Sequence, residues 1–326
     1  MKDKGLWLIM FLKSLFWQGV NSLIKIFLEI FVFNRKIRRI LKGNWAKFYL
    51  RKYVRIGTAP TRVSTVNKVH QETLSSPLER DDADLPIWQY WESKDGSIPP
   101  LVQACMNSVE QHKGKCKRIF LTPDNVKQYV DIPQIFWDLK ERGKIKTAFF
   151  SDILRTCLLI QHGGIWIDST VLLTEDLPDY ITDADLFVFQ NDLKIDLDGL
   201  NMASYFISAK KDNKILKETL SALIQYWKEN SFLVNYFTFL HTFTMITQAS
   251  KENKELFSKI PFFSFLPVQQ FQGELLNKFS EERWNEIKKI SGIHKLTHKQ
   301  SVLTKEKNIE IAGTFYEHVI KEFGGK

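Results

Sequence analysis

The stretch that most constrains this chain is residues 147–168, TAFFSDILRTCLLIQHGGIWID. Its first part is apolar around most of a helical wheel and holds no proline, which predicts a largely buried helix over 147–161. Gly163-Gly164 stops it, and Ile165-Trp166-Ile167 then reads as a short buried strand. A buried helix that passes through a glycine break into a buried strand belongs to a sheet covered by helices.

The segments before it repeat the alternation. PIWQY at 86–90 predicts a strand, Pro99-Pro100 opens a helix over 99–112, RIFLT at 118–122 predicts a second strand, and a helix is expected over 124–130. Such an α/β pattern implies a mainly parallel sheet whose ligands lie beyond the carboxyl ends of its strands. Asp168 ends the strand at 165–167, so the sheet delivers its side chain toward that crevice. Asp152 and Arg155 lie three apart on one helical face. Taken singly, these residues read equally as a surface ion pair and a strand-ending carboxylate.

Charge is informative only once it is placed along the chain. The net charge is +9, yet residues 1–62 hold fourteen basic side chains against Asp3 and Glu29, which leaves the other 264 residues at about −3. The excess therefore belongs to an N-terminal segment, and nucleic-acid binding by the whole protein loses its support. The same segment is apolar and aromatic, with Leu6–Leu12, Leu15-Phe16-Trp17 and Ile24–Phe33. Lys13 and Lys25 interrupt these runs before they reach the ~20 apolar residues of a spanning helix. We expect a basic amphipathic helical segment over 1–62 that lies in the plane of an anionic membrane surface, the cluster Arg35–Arg39 meeting the headgroups. A helical hairpin packed on the folded body is the alternative. Residues 63–84 read as a linker and 85–326 as the folded domain.

Cys105, Cys116 and Cys157 are odd in number and form no CxxC pair, so neither a disulfide framework nor a zinc ribbon is expected. The chain has no GxSxG, HExxH, Walker loop or GxGxxG. His241, within an aromatic run, reads as a core histidine.

Ser151-Asp152-x-x-Arg155, Gly163-Gly164, Trp166 and Asp168 together resemble the hallmark of a known family. These are the retaining glycosyltransferases of GT-A fold grouped with capsular polysaccharide synthesis proteins, yeast-type mannosyltransferases with a D-x-D motif, and large clostridial toxin glucosyltransferase domains. Weaker similarity runs through Asn201–Ala209, Asn235–His241 and the KLTHK run at 295–299. The resemblance implies a GT-A-like nucleotide-sugar-binding sandwich with a mainly parallel central sheet, preceded by the membrane-associated helical segment. It implies Asp152, Arg155 and Asp168 as catalytic residues that hold sugar and ribose hydroxyls. Donor binding falls to Trp91, which would stack on the base, and to Gln89, Ser151, Gly164, Asp168 and Lys299.

The family's D-x-D holds a divalent cation, Mn or Mg, against the donor diphosphate. Here the motif reads Asp168-Ser169-Thr170, as is frequent in the capsular branch, and a Thr hydroxyl brings no charge. Metal ligation is accordingly expected at Asp168, with Thr170 and His298 as further donors. The implied donor is a UDP-sugar and the implied acceptor a polyprenyl-linked or oligosaccharide substrate at the cytoplasmic face of the cell membrane, with no nucleic-acid partner. A catalytically inactive, membrane-recruited sugar-binding scaffold is the alternative that Thr170 keeps open.

Overall fold

The computed structural model describes residues 2–58, 85–93, 95–191, 199–299 and 310–325. The expected linker at 63–84 lies outside them. The chain opens with two helices, α1 (Lys2–Phe31) and α2 (Arg35–Gly57). Asn34 caps α2, its Oδ1 accepting from the backbone N–H groups of Lys36 and Ile37. Then follow β1 (Pro86–Tyr90), α3 (Pro100–Gln111), β2 (Lys117–Leu121), α4 (Gln134–Glu141), α5 (Thr147–His162), β3 (Gly164–Ile167) and β4 (Val171–Leu173). The second half holds α6 (Asp179–Thr182), β5 (Leu186–Val188), β6 (Phe206–Ala209), α7 (Lys214–Glu229) and α8 (Thr238–Thr247). It ends with α9 (Lys251–Ser258), α10 (Phe265–Gln270), α11 (Glu281–Ile290), β7 (Ile293–Lys295) and α12 (Phe315–Phe323). The helix expected over 124–130 is only a 3₁₀ turn at Val126–Gln128, because Asn125 spends its side chain on the Thr122 N–H and the Phe120 carbonyl.

The main sheet has the order β2-β1-β3-β6-β5. β1 pairs in parallel with β2 and β3, whereas β6 runs antiparallel to both β3 and β5. The sheet is thus mixed but mostly parallel in direction, with β6 the reversed strand. A separate antiparallel pair, β4 with β7, extends beyond the end of β3.

Alternation along β1 and β3 sorts side chains to two cores. Trp88, Tyr90 and Trp166 face α5, α7 and α8, while Ile87, Ile165 and Ile167 face the opposite layer with Phe187 and Phe206. A third cluster joins α3, α11 and α12. The double glycine serves the close packing of β1 on β3. Gly164 has φ +101°, and a Cβ there would lie 2.3 Å from the Pro86 carbonyl oxygen.

α2 belongs to the body. Ala46, Leu50, Tyr53 and Val54 enter the same core as Tyr226 and Trp227, and a Cβ on Gly57 would stand 2.8 Å from that of Ala222 on α7. The folded body therefore takes in part of residues 1–62 and does not begin at Leu85. α1 lies over α2 through Trp17 against Trp45 and Tyr49, and Asn21 accepts from the Trp45 indole N–H at 2.9 Å. Among the described residues no helix is long and apolar enough to cross a membrane.

Candidate active site

β3 ends at the carboxyl edge of the sheet, and Asp168 follows on the same face as Trp166, two residues earlier. The Trp166 indole N–H donates to Asp168 Oδ1 at 2.8 Å, and the Asp168 backbone N–H donates to the Tyr205 carbonyl at 2.9 Å. One turn into α5, Asp152 and Arg155 face this point. Arg155 Nη1 donates to Asp152 Oδ1 at 2.6 Å and to the Ser204 carbonyl at 2.8 Å, while Nη2 donates to Asp168 Oδ1 at 3.2 Å. The three expected catalytic residues thus form one bonded unit. They are not equivalent, since the Arg155 side chain is 5% exposed and those of Asp152 and Asp168 are 16% and 24% exposed. Arg155 is an internal tie that aims two carboxylates at the crevice, with its guanidinium also lying over the Trp166 ring. Its Nε is buried without a protein partner among the described residues, a donor that water or a polar ligand would satisfy.

A fourth member was not singled out from the sequence. Lys295 ends β7, and the β4–β7 ladder sets it opposite Val171. The Leu296 backbone N–H donates to the Thr170 carbonyl at 2.9 Å. The Lys295 ammonium consequently reaches Asp168 Oδ2 at 3.1 Å and also donates to the Thr170 hydroxyl. The KLTHK run was legible, but which of its lysines faces the site depends on a strand register 125 residues away in sequence. Lys299, the expected donor-binding lysine, is exposed, and its described bond is a backbone one to Thr297.

The two carboxylates feel opposite environments. Burial raises Asp152 to about 6 despite the pull of Arg155, with the charge of Asp168 adding to the rise. Burial would raise Asp168 as well, but Lys295, Arg155 and the Trp166 N–H together hold it below the ordinary carboxylate value. Burial raises the hydroxyl of Tyr236, between α7 and α8, with the charges of Asp152 and Asp168 adding to the rise.

The remaining expected donor residues divide. Trp91 lies just past β1, its indole N–H bonded to the Ser97 carbonyl at 3.0 Å and its ring edge-on to His298 at 5.1 Å. Both rings stand at the carboxyl edge of the sheet, and His298 Nδ1 is buried without a protein partner among the described residues. Gln89 is fully buried and accepts from Arg118 Nε at 2.7 Å. Ser151 is half-buried on α5, and Gly164 lies at the opposite end of β3, where its space is filled by Pro86. Gly164 therefore acts in packing, while Gln89 Nε2 is buried without a protein partner among the described residues. His241 is buried on α8, and the three cysteines are buried and form no disulfide among the described residues.

The residues present do not fit a divalent cation. Asp168 Oδ1 accepts from Arg155 and Trp166, its Oδ2 accepts from Lys295, and the Thr170 hydroxyl is engaged by the same ammonium. A hard dication needs several free oxygens, preferably anionic. No group of three or more His, Cys, Asp or Glu side chains is placed to share an ion among the described residues.

Residues 30–319 match the family described as capsular polysaccharide synthesis protein. The chain belongs to that family. Within this capsular family reading, an O-glycosyltransferase named braB from Annulohypoxylon truncatum is 26% identical over 164 residues, which cover 44% of this chain and 38% of that protein. The chain thus spans well under half the length of the curated relative it matches. Among solved structures, the PaToxG glycosyltransferase matches with a TM-score of 0.40 at 13% identity, covering 78% of this chain and 95% of its own. The glycosyltransferase GlyE of Streptococcus pneumoniae TIGR4 gives 0.39 at 12% identity, covering 74% and 60%. Membership in the capsular family rests on the sequence match, not on these overlaps.

Proposed function

We propose that the chain is a retaining glycosyltransferase that moves a sugar from a nucleoside diphosphate, a UDP-sugar, to a polyprenyl-linked or oligosaccharide acceptor in capsule or exopolysaccharide synthesis. The carrying observation is the bonded unit of Asp152, Arg155, Asp168 and Lys295 at the carboxyl end of β3, two anions and two cations in one partly open crevice. Sugar transfer needs acceptor oxygens that fix hydroxyls and positive charge where the diphosphate departs, and this unit offers both. Asp152 and Asp168 would hold sugar or ribose hydroxyls, and Trp91 would stack on the base. The retaining outcome and the UDP donor follow from the resemblance of the helix–Gly-Gly–strand motif.

The same reading puts the chain on the cytoplasmic face of the membrane. α1 supports it by being inverted relative to a helix of a soluble surface. Its inward stripe carries, beside Trp17 and Leu28, the polar Ser14, bonded to Ser231, and Asn21, bonded to Trp45, whereas Ile9, Phe16, Leu23, Phe27, Ile30 and Phe31 are all more than half exposed. An apolar outer face flanked by Lys and Arg matches an anionic bilayer surface.

The test is a screen of nucleotide sugars with the full chain, reading release of nucleoside diphosphate and transfer to saccharide acceptors. Turnover of one donor that is abolished in Asp152→Asn supports transferase activity. Tight donor binding with no turnover toward any acceptor instead favours the inactive scaffold, for which Thr170 in place of a second carboxylate is the motivating observation.

A further inference from the structure

In the resemblance above, the first and last residues of D-x-D hold a metal between them. Here the corresponding oxygens, Asp168 Oδ2 and Thr170 Oγ1, already share a cation, and it is the ammonium of Lys295. We infer that Lys295 supplies from the chain itself the positive charge that receives the departing diphosphate, so that donor binding needs no divalent metal. This rests on the transferase reading above.

Three features place Lys295 in that role. Its position is set by main chain, through the Val171–Lys295 register and the Leu296 N–H to Thr170 carbonyl bond, and not by a flexible loop. Its side chain is 22% exposed, so it is not sealed into the core as that of Arg155 is at 5%. An ammonium has three donors, and Asp168 and Thr170 take two, which leaves one for a phosphate oxygen. Arg155, the other cation, is 5% exposed and committed to Asp152, Asp168 and Ser204. Thr170 also explains itself on this account. A second aspartate there would favour a dication and over-neutralise the ammonium, whereas a neutral hydroxyl orients Lys295 and adds no further negative charge beside Asp168.

In the transfer itself, the bond from the sugar C1 to the phosphate oxygen breaks with its electron pair remaining on the diphosphate. The acceptor oxygen forms the new bond to C1, and its proton passes to the departing phosphate oxygen. Lys295 donates a hydrogen bond to the charge that grows on that diphosphate and keeps its own proton.

The experiment measures binding of UDP, GDP, ADP and dTDP, with their monophosphates as controls, to the full-length protein in EDTA and again with Mn or Mg. The expected result is binding of at least one diphosphate in EDTA, changed less than threefold by the metal. Lys295→Gln should weaken that diphosphate at least tenfold while changing its monophosphate less than threefold, and Lys295→Arg should recover part of the loss. A lysine that only holds strands together would lower the melting temperature without separating diphosphate from monophosphate. Thr170→Asp gives a second arm should Lys295→Gln fold poorly, with lower diphosphate affinity in EDTA and a gain on adding Mn. Parental binding that requires Mn or Mg, or unchanged EDTA affinity in both variants, overturns the inference but leaves the transferase reading intact. Failure of the parental chain to bind any of the diphosphates, with or without metal, overturns both.

Discussion

α5 and α1 are both long, both strongly apolar and both carry isolated charges, yet they end in opposite surroundings. In α5, Phe149, Phe150, Ile153, Leu154, Leu158 and Leu159 are buried and even Arg155 is enclosed. In α1, Phe16, Leu23, Phe27 and Phe31 are left outside while Ser14 and Asn21 are covered. Hydrophobicity therefore does not decide burial here; available neighbours do. α5 lies between the sheet and α7, where its charge meets two carboxylates within hydrogen-bond reach. α1 rests on α2 and, through Ser14, on Ser231 just past α7, and its remaining apolar face fits a partner with no polar surface to satisfy.

The largest expected effect comes from breaking the buried side of this contrast. Asp168→Asn should lower transfer by about 10²-fold or more, because it removes the acceptor that positions hydroxyls and the counter-charge of both Arg155 and Lys295. It should also destabilise. Breaking a fully buried ion pair costs about 3–5 kcal/mol, and the 24% exposure of Asp168 puts this case below that range. Steady-state kinetics beside thermal melting checks both parts. Near-parental turnover would remove Asp168 from the site.

How much of this was legible follows the same division between local and distant partners. The helix at 147–161, the glycine break and the strand ending in Asp168 were readable because each depends on neighbours within one or two turns. Lys295 was not readable, because its role arises from pairing of β7 with β4, and nothing in KLTHK distinguishes it from Lys299. The reversed direction of β6 was equally hidden, since strand direction is set by how the chain returns to the sheet and not by composition. Gly164 carried the motif's pattern, but close packing against Pro86 accounts for it. The N-terminal segment was half legible. Its charge and apolar runs could be counted, but the burial of α2 through Gly57 against Ala222 is a tertiary fact.

A pair of variants sharpens the contrast at intermediate size. Arg155→Met leaves Asp152 and Asp168 without their shared counter-charge, and should cost less than the ~3–5 kcal/mol of a fully buried pair because the two carboxylates are 16% and 24% exposed, read as a drop in melting temperature. Replacing Phe16, Phe27 and Phe31 together with Ser removes mainly exposed apolar surface, with the Phe16 edge contact to Trp17, and should change melting far less than Arg155→Met. It should instead weaken sedimentation with anionic vesicles at least tenfold, since a buried Phe contributes about 1.5–3 kcal/mol and three insert partially. Salt should weaken the parental vesicle binding but not abolish it, because screening acts on the Arg35–Arg39 cluster and not on apolar burial. Should the triple variant lose stability and keep vesicle binding, the apolar face is an internal or oligomeric contact, and the inverted reading of α1 fails.

The smallest expected effect is a difference in pH response between the two regions. Asp152 titrates at about 6 in the folded protein, above its ordinary value of 3.8. Between those values the folded state holds a proton that the unfolded chain has released, so the Asp152 contribution to stability falls as pH rises from about 4 to 6 and is level above. Asp168 is shifted the other way, so its contribution is present above its unfolded value and is lost as pH falls through its lower folded value. Asp152→Asn should therefore remove a stability loss confined to about pH 4–6, and the gap in melting temperature between variant and parent should be constant from pH 7 to 8. If the ionised Asp152 holds a donor hydroxyl, kcat/KM should also fall below about pH 6, while Asp168 stays ionised through that range. Vesicle binding by the N-terminal region rests on Lys and Arg, which do not titrate there. It should stay flat from pH 5 to 8 on vesicles whose own charge is constant, such as phosphatidylglycerol. A flat melting difference across pH 4–6 would mean that Asp152 is not held in a proton-favouring environment, and the acid limb of activity would then have to be assigned to another group.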